Sequence, residues 1–124
     1  LERDAAEWAA VLDNKTGLIW ALQAVRVENW NEADAAAKAV RACGFADWRL
    51  PTVEELFTLA DRTRFNPAID SEFFPDTPVD WFWTSTPWAQ SPSGYAWRVS
   101  FYYGSANYYV HDGYGFVRAV RPGQ

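Results

Sequence analysis

Ala96-Trp97-Arg98-Val99-Ser100-Phe101 is the stretch that decides the fold class. Its alternation predicts a strand over 96–103, with Trp97, Val99 and Phe101 toward the core and Arg98, Ser100 and Tyr102 outward. Trp81–Ser85 and Phe116–Arg121 read as further strands, set apart by Pro-, Ser- and Gly-rich turns. Upstream, Thr52-Val53-Glu54-Glu55 is a capping box that starts a helix running to about Thr63, with Val53, Leu56, Phe57 and Ala60 as its buried stripe. Pro51 keeps Leu50 extended before it. Asn31 caps an earlier helix, predicted over Asn31–Cys43 from the spacing of Ala33, Ala36, Ala37, Val40 and Cys43, with Gly44 as its stop. Before that, Val11-Leu12 and Leu18-Ile19-Trp20 flank Asp13-Asn14-Lys15-Thr16-Gly17, a spacer with hairpin chemistry. Two helices followed by a strand-rich half predict an α+β fold.

The chain has 124 residues, 49% of them hydrophobic, which suits one domain spanning 1–124 around one core. No run approaches the roughly 20 apolar residues of a membrane-spanning helix, so no membrane insertion is expected. No signal peptide is visible, and the start at Leu1 rather than Met leaves room for a longer protein. A net charge of −5 argues against nucleic acid, whose binders cluster Lys and Arg to displace phosphate counterions. The single cysteine, Cys43, excludes an internal disulfide framework and a cysteine-based zinc cage. On the apolar face of its predicted helix it is expected to be a small buried hydrophobe.

Catalytic signals are sparse, and no enzyme is expected. His111, followed by Asp112, is the only histidine, and no Gly-x-Ser-x-Gly elbow accompanies it. No phosphate-cradling glycine motif occurs. Asp70, Glu72, Asp76 and Asp80 lie in a Pro-rich loop without calcium-site spacing, so they read as solvated carboxylates, and neither metal nor cofactor is expected. Arg49, Arg118 and Arg121 sit beside core-type residues and read as structural, forking onto carboxylates or carbonyls.

The 95–116 segment is different. It holds all six tyrosines, with Gly104, Gly113 and Gly115 and with Ser, Asn, His and Asp. Tyrosine supplies amphipathic contact area at low entropic cost, and Ser, Gly and Asn supply adaptable hydrogen bonds, which is the composition of a paratope. The alternative is a strand pair with aromatic cross-strand packing. Even then, the consecutive pairs Tyr102-Tyr103 and Tyr108-Tyr109 place one ring of each on an outer face.

Five blocks occur in order: Asp13-Asn14-Lys15-Thr16-Gly17-Leu18-Ile19-Trp20, Asp47-Trp48-Arg49-Leu50-Pro51-Thr52, Phe82-Trp83-Thr84-Ser85-Thr86, Ala96-Trp97-Arg98-Val99-Ser100-Phe101 and Phe116-Val117-Arg118-Ala119-Val120-Arg121. With them the chain, from about Val11 on, resembles the C-terminal domain family of the Legionella collagen-like protein. The resemblance implies a C-type-lectin-like fold, with two helices on a small, mostly antiparallel sheet and long loops. It also reaches the variable proteins of diversity-generating retroelements, which display mutated residues near the C-terminus. Adenine mutagenesis of Asn codons yields no Lys, Glu, Gln, Met or Trp, and 98–117 contains none of these.

By this resemblance Arg98, Ser100, Tyr102, Tyr103, Ser105, Asn107, Tyr108, Val110, His111 and Tyr114 are the candidate variable, ligand-contacting positions. Trp97, Val99, Phe101 and Gly104 are scaffold, and Trp20, Trp48, Trp83 and Trp97 form the frame. The implied partner is a protein or cell-surface ligand, in a cell-surface, secreted or phage-associated setting; the oligomeric state is not legible. The alternative is a fixed-sequence lectin-like adhesin domain that binds a glycan or surface polymer. The Glu-Pro-Asn, Gln-Pro-Asp and Trp-Asn-Asp motifs of calcium-dependent sugar-binding lectins are absent, and Trp30-Asn31-Glu32 is a near miss. Formylglycine-making enzymes of similar fold need a cysteine pair, whereas Cys43 stands alone.

Overall fold

The computed structural model describes residues 10–61, 63–64, 68–69, 74, 77–91 and 93–122. The fold is α+β, dominated by strands. Strands β1 (Ala10–Asp13) and β2 (Leu18–Ala21) form the predicted hairpin, pairing Val11 with Trp20. Its turn closes where the Gly17 N–H donates to the Asp13 carbonyl at 2.8 Å, with Gly17 at φ 76°, a conformation glycine adopts without steric cost. The last strand, β8 (Val120–Pro122), pairs with the other edge of β2 and completes a three-stranded sheet.

The second sheet has the order β3-β7-β4-β5-β6. These are β3 (Val25–Val27), β7 (Gly115–Val117), β4 (Trp81–Pro87), β5 (Tyr95–Ser100) and β6 (Ser105–Val110). All its pairings are antiparallel except β4 with β7, which is parallel. The strand expected over Phe116–Arg121 is therefore two short strands, one in each sheet. The break at Arg118 and Ala119 lets the chain change sheets.

Arg118 is the pin at that break. Its side chain is fully buried, and its guanidinium donates to the Ala21 carbonyl at 3.0 Å, the Leu22 carbonyl at 2.9 Å and Thr77 Oγ1 at 3.0 Å. The carbonyls lie at the last residue of β2 and the one after it, where the chain leaves the first sheet. Burial pulls the Arg118 pKa down to about 10, which still leaves the group charged at neutral pH. Arg121 forks onto Asp47 at 2.6 and 3.1 Å, and Arg49 onto Glu55 at 2.8 and 2.8 Å. All three arginines act structurally, as their positions beside core residues predict.

Both helices are shorter than predicted. Helix α1 covers only Ala33–Lys38, after a 3-10 turn at Trp30–Glu32 capped by Asn29. Ala33 and Ala37 are buried among Trp48 and Trp83, so the small residues do give close packing. Cys43 is not a buried helical residue: it is exposed, at φ 58°, and followed by Gly44 at φ 78°. Two successive left-handed residues reverse the chain so that Trp48 and Leu50 can enter the core, and no helix continues through such a pair. Helix α2 (Val53–Phe57) has the predicted capping box, with Thr52 Oγ1 accepting from the Glu55 N–H and the Glu55 carboxylate accepting from the Thr52 N–H. It stops early because the amides of Leu59 and Ala60 tighten onto carbonyls three residues back, and the Asp61 amide turns to the Ala68 carbonyl.

The core lies on both faces of the second sheet. On one side Trp83, Ala96 and Val117 pack with α1, Trp48 and Leu50; on the other Phe82, Val99 and Phe101 pack with Trp20, Leu56 and Ile69. Trp20, Trp48 and Trp83 are fully buried, whereas Trp97 is half-buried. Ser100 is not outward-facing as its place in the alternation suggests. It is buried, and its Oγ accepts the amides of Tyr102 at 3.1 Å and Tyr103 at 3.2 Å, holding the turn into β6. Among the described residues no helix is long and apolar enough to cross a membrane.

Candidate ligand-binding surface

The β5–β6 hairpin carries most of the candidate positions. Its turn uses Gly104 at φ 75°, with the Gly104 amide donating to the Ser100 carbonyl at 2.9 Å. The register pairs Trp97 with Tyr108, Arg98 with Asn107, Ala96 with Tyr109, Ser100 with Ser105 and Tyr95 with Val110. Strand alternation therefore divides the candidates between two faces rather than gathering them on one.

On the face shared with α2, Tyr108 stacks on Trp88, with ring centroids 3.9 Å apart and an interplanar angle of 5°. Trp97 meets Tyr108 edge-on at 5.9 Å, and Tyr95 meets Trp88 at 5.3 Å. Beside this cluster Val53, Glu54, Phe57, Thr86, Trp97 and Ala106 line an open groove of about 290 Å³.

On the opposite face α1 packs against β3 and β7, and the core there also takes in Trp83 of β4 and Ala96 of β5. Between the buried Ala96 and Ser100, the half-buried Arg98 organises the surface with the exposed Asn107 and Tyr109 of β6. Its guanidinium lies 4.0 Å from the Trp81 ring centroid and 3.8 Å from that of Tyr109, and its Nε donates to Asn107 Oδ1 at 3.3 Å. Burial pushes the Arg98 pKa down, against the opposing pull of Tyr109, Asp80 and Tyr114. At the rim the Tyr114 hydroxyl donates to Asp80 Oδ2 at 2.6 Å, and this bond pushes the Tyr114 pKa up. The Arg26 guanidinium lies 4.7 Å from the Tyr114 ring centroid.

Exposure sorts the ten candidates. Tyr103 is 65% exposed, Tyr114 45% and Tyr108 43%, and the unpredicted Tyr109 is 41% exposed. Asn107 is exposed, whereas Arg98, Tyr102, Ser105 and Val110 are half-buried. Ser100 and His111 are not surface contacts. His111 is 8% exposed, its ring stacked on Trp30 at 4.1 Å. Its amide donates to the Gly94 carbonyl and its carbonyl accepts from the Trp30 amide, so it fastens the end of β6 to the start of the α1 segment. Its Nε2 finds no hydrogen-bond partner among the described residues.

Reading the sequence singled out neither Trp81, Tyr109 and Trp88 nor Arg26 as contact residues. The signal for Trp81 lies in its two-residue spacing from Trp83, once Trp83 is paired with Arg98. The signal for Tyr109 lies in the Tyr108-Tyr109 pair, which must send one ring to each face. Of the acidic loop only Asp80 can be placed, and it serves the Trp81 amide and Tyr114. Asp70, Glu72 and Asp76 lie outside the described residues. Among the described residues no group of three or more His, Cys, Asp or Glu is arranged to hold a metal.

A family model described as the Lcl C-terminal domain matches residues 9–121. No curated protein matches the chain.

Proposed function

The chain belongs to the Lcl C-terminal domain family, and from that premise we propose that it is a ligand-binding domain, without catalytic chemistry, whose contact surface is the tyrosine-rich β5–β6 hairpin and the Tyr114 rim. One observation carries this reading. Of the seven large hydrophobic side chains most exposed among the described residues, Tyr103, Tyr108, Tyr109 and Tyr114 fall within one short segment. They lie on both faces of the hairpin and at its rim, and so many exposed aromatic rings on one projecting element support a contact site. Tyrosine suits it because a rigid ring and one hydroxyl serve both apolar and polar partners.

The reading extends to a C-type-lectin-like fold and to a retroelement-diversified variable protein. The first is supported by the ordered sequence blocks and the α+β architecture. The second is supported by the codon-compatible composition of 98–117 and by the exposure of Asn107, Tyr103, Tyr108 and Tyr114 beside a buried frame. Ser100 and His111 are withdrawn from the contact set because they are buried. Arg98, Tyr102, Ser105 and Val110 remain at its half-buried margin.

Two experiments test the proposal. Arrays of purified bacterial surface proteins and glycans are probed with the wild-type chain and with a variant carrying Tyr103→Ser, Tyr108→Ser, Tyr109→Ser and Tyr114→Ser. Hits lost in the variant support the surface, and hits retained at full strength overturn it. In the source genome, a near-copy of the DNA encoding about Ala96 to Arg121, differing at adenines, is expected. Its absence removes the diversification claim and leaves a fixed-sequence binding domain.

A further inference from the structure

We propose that Arg98 is a carboxylate-binding residue, and that it receives an acidic side chain from a protein ligand laid along the outer edge of β6. The inference rests on the binding-surface reading and names the chemistry of its ligand.

A guanidinium is planar, with five N–H donors all in its plane. The Trp81 and Tyr109 rings both lie against it, with centroids 4.0 and 3.8 Å from Cζ, and restrict its movement. Asn107 takes the Nε–H. The four N–H groups of the two terminal nitrogens find no acceptor among the described residues. Asp80 is the nearby carboxylate and its charge acts on Arg98, but its oxygens accept hydrogen bonds from the Trp81 amide and the Tyr114 hydroxyl. Arg98 is therefore a preoriented fork with an unfilled edge. The planar, two-oxygen group that matches such an edge is a carboxylate.

The surroundings narrow the ligand further. Asp80 and the net charge of −5 disfavour a densely charged polyanion and leave a single carboxylate. Strand β6 is the edge of its sheet, and Ser105–Val110 contains no proline and no charged residue. Soluble proteins usually block such an edge, and an open one accepts an extended peptide as an additional strand. Arg98 projects from the neighbouring strand, one pairing step from that edge.

The test is to pan a random peptide library on the whole chain and titrate an enriched peptide calorimetrically. The expected peptides share a Glu or Asp at one register. Replacing that residue by its amide, or replacing Arg98→Lys in the protein, should each weaken binding about tenfold or more, because lysine cannot form the paired bonds. The amide replacement leaves the protein untouched, so a folding defect in the variant cannot imitate the result. Enriched peptides with no shared acid, or binding indifferent to both replacements, overturn the carboxylate site. If those peptides still depend on Tyr108 and Tyr109, the binding surface stands while the site falls. Failure to enrich any peptide, with Arg98-dependent binding of glucuronate instead, overturns the protein ligand in favour of a glycan.

Discussion

The Trp88 indole lies flat against the Tyr108 ring, 3.9 Å between centroids and 5° from parallel. A tyrosine on an edge strand is thereby held in one orientation before any ligand arrives. Preorganisation of this kind lowers the entropic cost of association.

Trp88→Ala should release that ring. The stacked pair contributes about 1 kcal/mol beyond buried area, so the urea midpoint should fall slightly while the fold persists. Nuclear magnetic resonance reads the local change. The Tyr108 ring protons, shifted upfield by the indole, should move toward the positions of a free tyrosine. Unmoved ring protons would show that the stack does not exist in solution.

Arg118→Ala should be severe. It removes three hydrogen bonds from a fully buried group and leaves the Ala21 and Leu22 carbonyls without their donor. With the cavity added, the expected loss is about 3 kcal/mol or more. Arg118→Met keeps most of the volume and should still lose roughly 2 kcal/mol through the orphaned acceptors. Equilibrium denaturation in urea measures both, and a neutral Met variant would contradict the pinning role.

Glu55 makes stability depend on acid pH. Hydrogen bonds from Arg49, assisted by Thr52 and opposed by burial, hold its carboxyl below the ordinary value of 4.5. A carboxyl with a lowered folded pKa stabilises fully above its unfolded value and loses that contribution as pH falls through the folded one. The wild type should therefore lose stability from about pH 4.5 downward more steeply than Glu55→Gln. Parallel curves for the two proteins would remove Glu55 as the cause.

Gly115→Ala tests close packing against the buried frame beside the candidate surface. An added Cβ would sit 2.7 Å from Cδ1 and Nε1 of Trp83, whose indole is fully buried. The indole cannot move without disturbing α1, so a cost of about 1–3 kcal/mol is expected, read as a lowered melting temperature. An unchanged melting temperature would show that Trp83 has room to shift.

Cys43 should react with a thiol reagent in the native state, at a rate near that of the unfolded chain, because it is exposed in its turn. Protection from the reagent until denaturant is added would instead restore the buried helical cysteine that the apolar spacing predicts.

What was legible follows from how local the cause is. The capping box at Thr52 and Glu55 and the turn at Gly17 are set by residues within a few positions, and both appear as read. The structural arginines were legible because a cation amid core residues needs acceptors close by. The end of α1 was not, because Cys43 takes its left-handed conformation to return Trp48 to a distant core. Ser100 was misread because alternation says nothing of the turn amides that claim its hydroxyl. Tyrosine richness singled out the segment that holds the four exposed tyrosines. It left open which ring faces which way until β6 was paired residue by residue with β5. The Arg98 cradle draws on β4, β5 and β6 together, so no single stretch announces it.

Arg118 also determines how the domain carries load. It ties the end of β2 to the step between β7 and β8, so the two sheets are joined by a side chain as well as by the chain itself. A force applied to the β5–β6 hairpin would pass through β4 and β7 to this junction, and from there into β2 and β8. The sheets cannot slide past one another without stripping the guanidinium from both carbonyls. Under force the domain should yield first at the hairpin edge, with the two-sheet body remaining intact behind it.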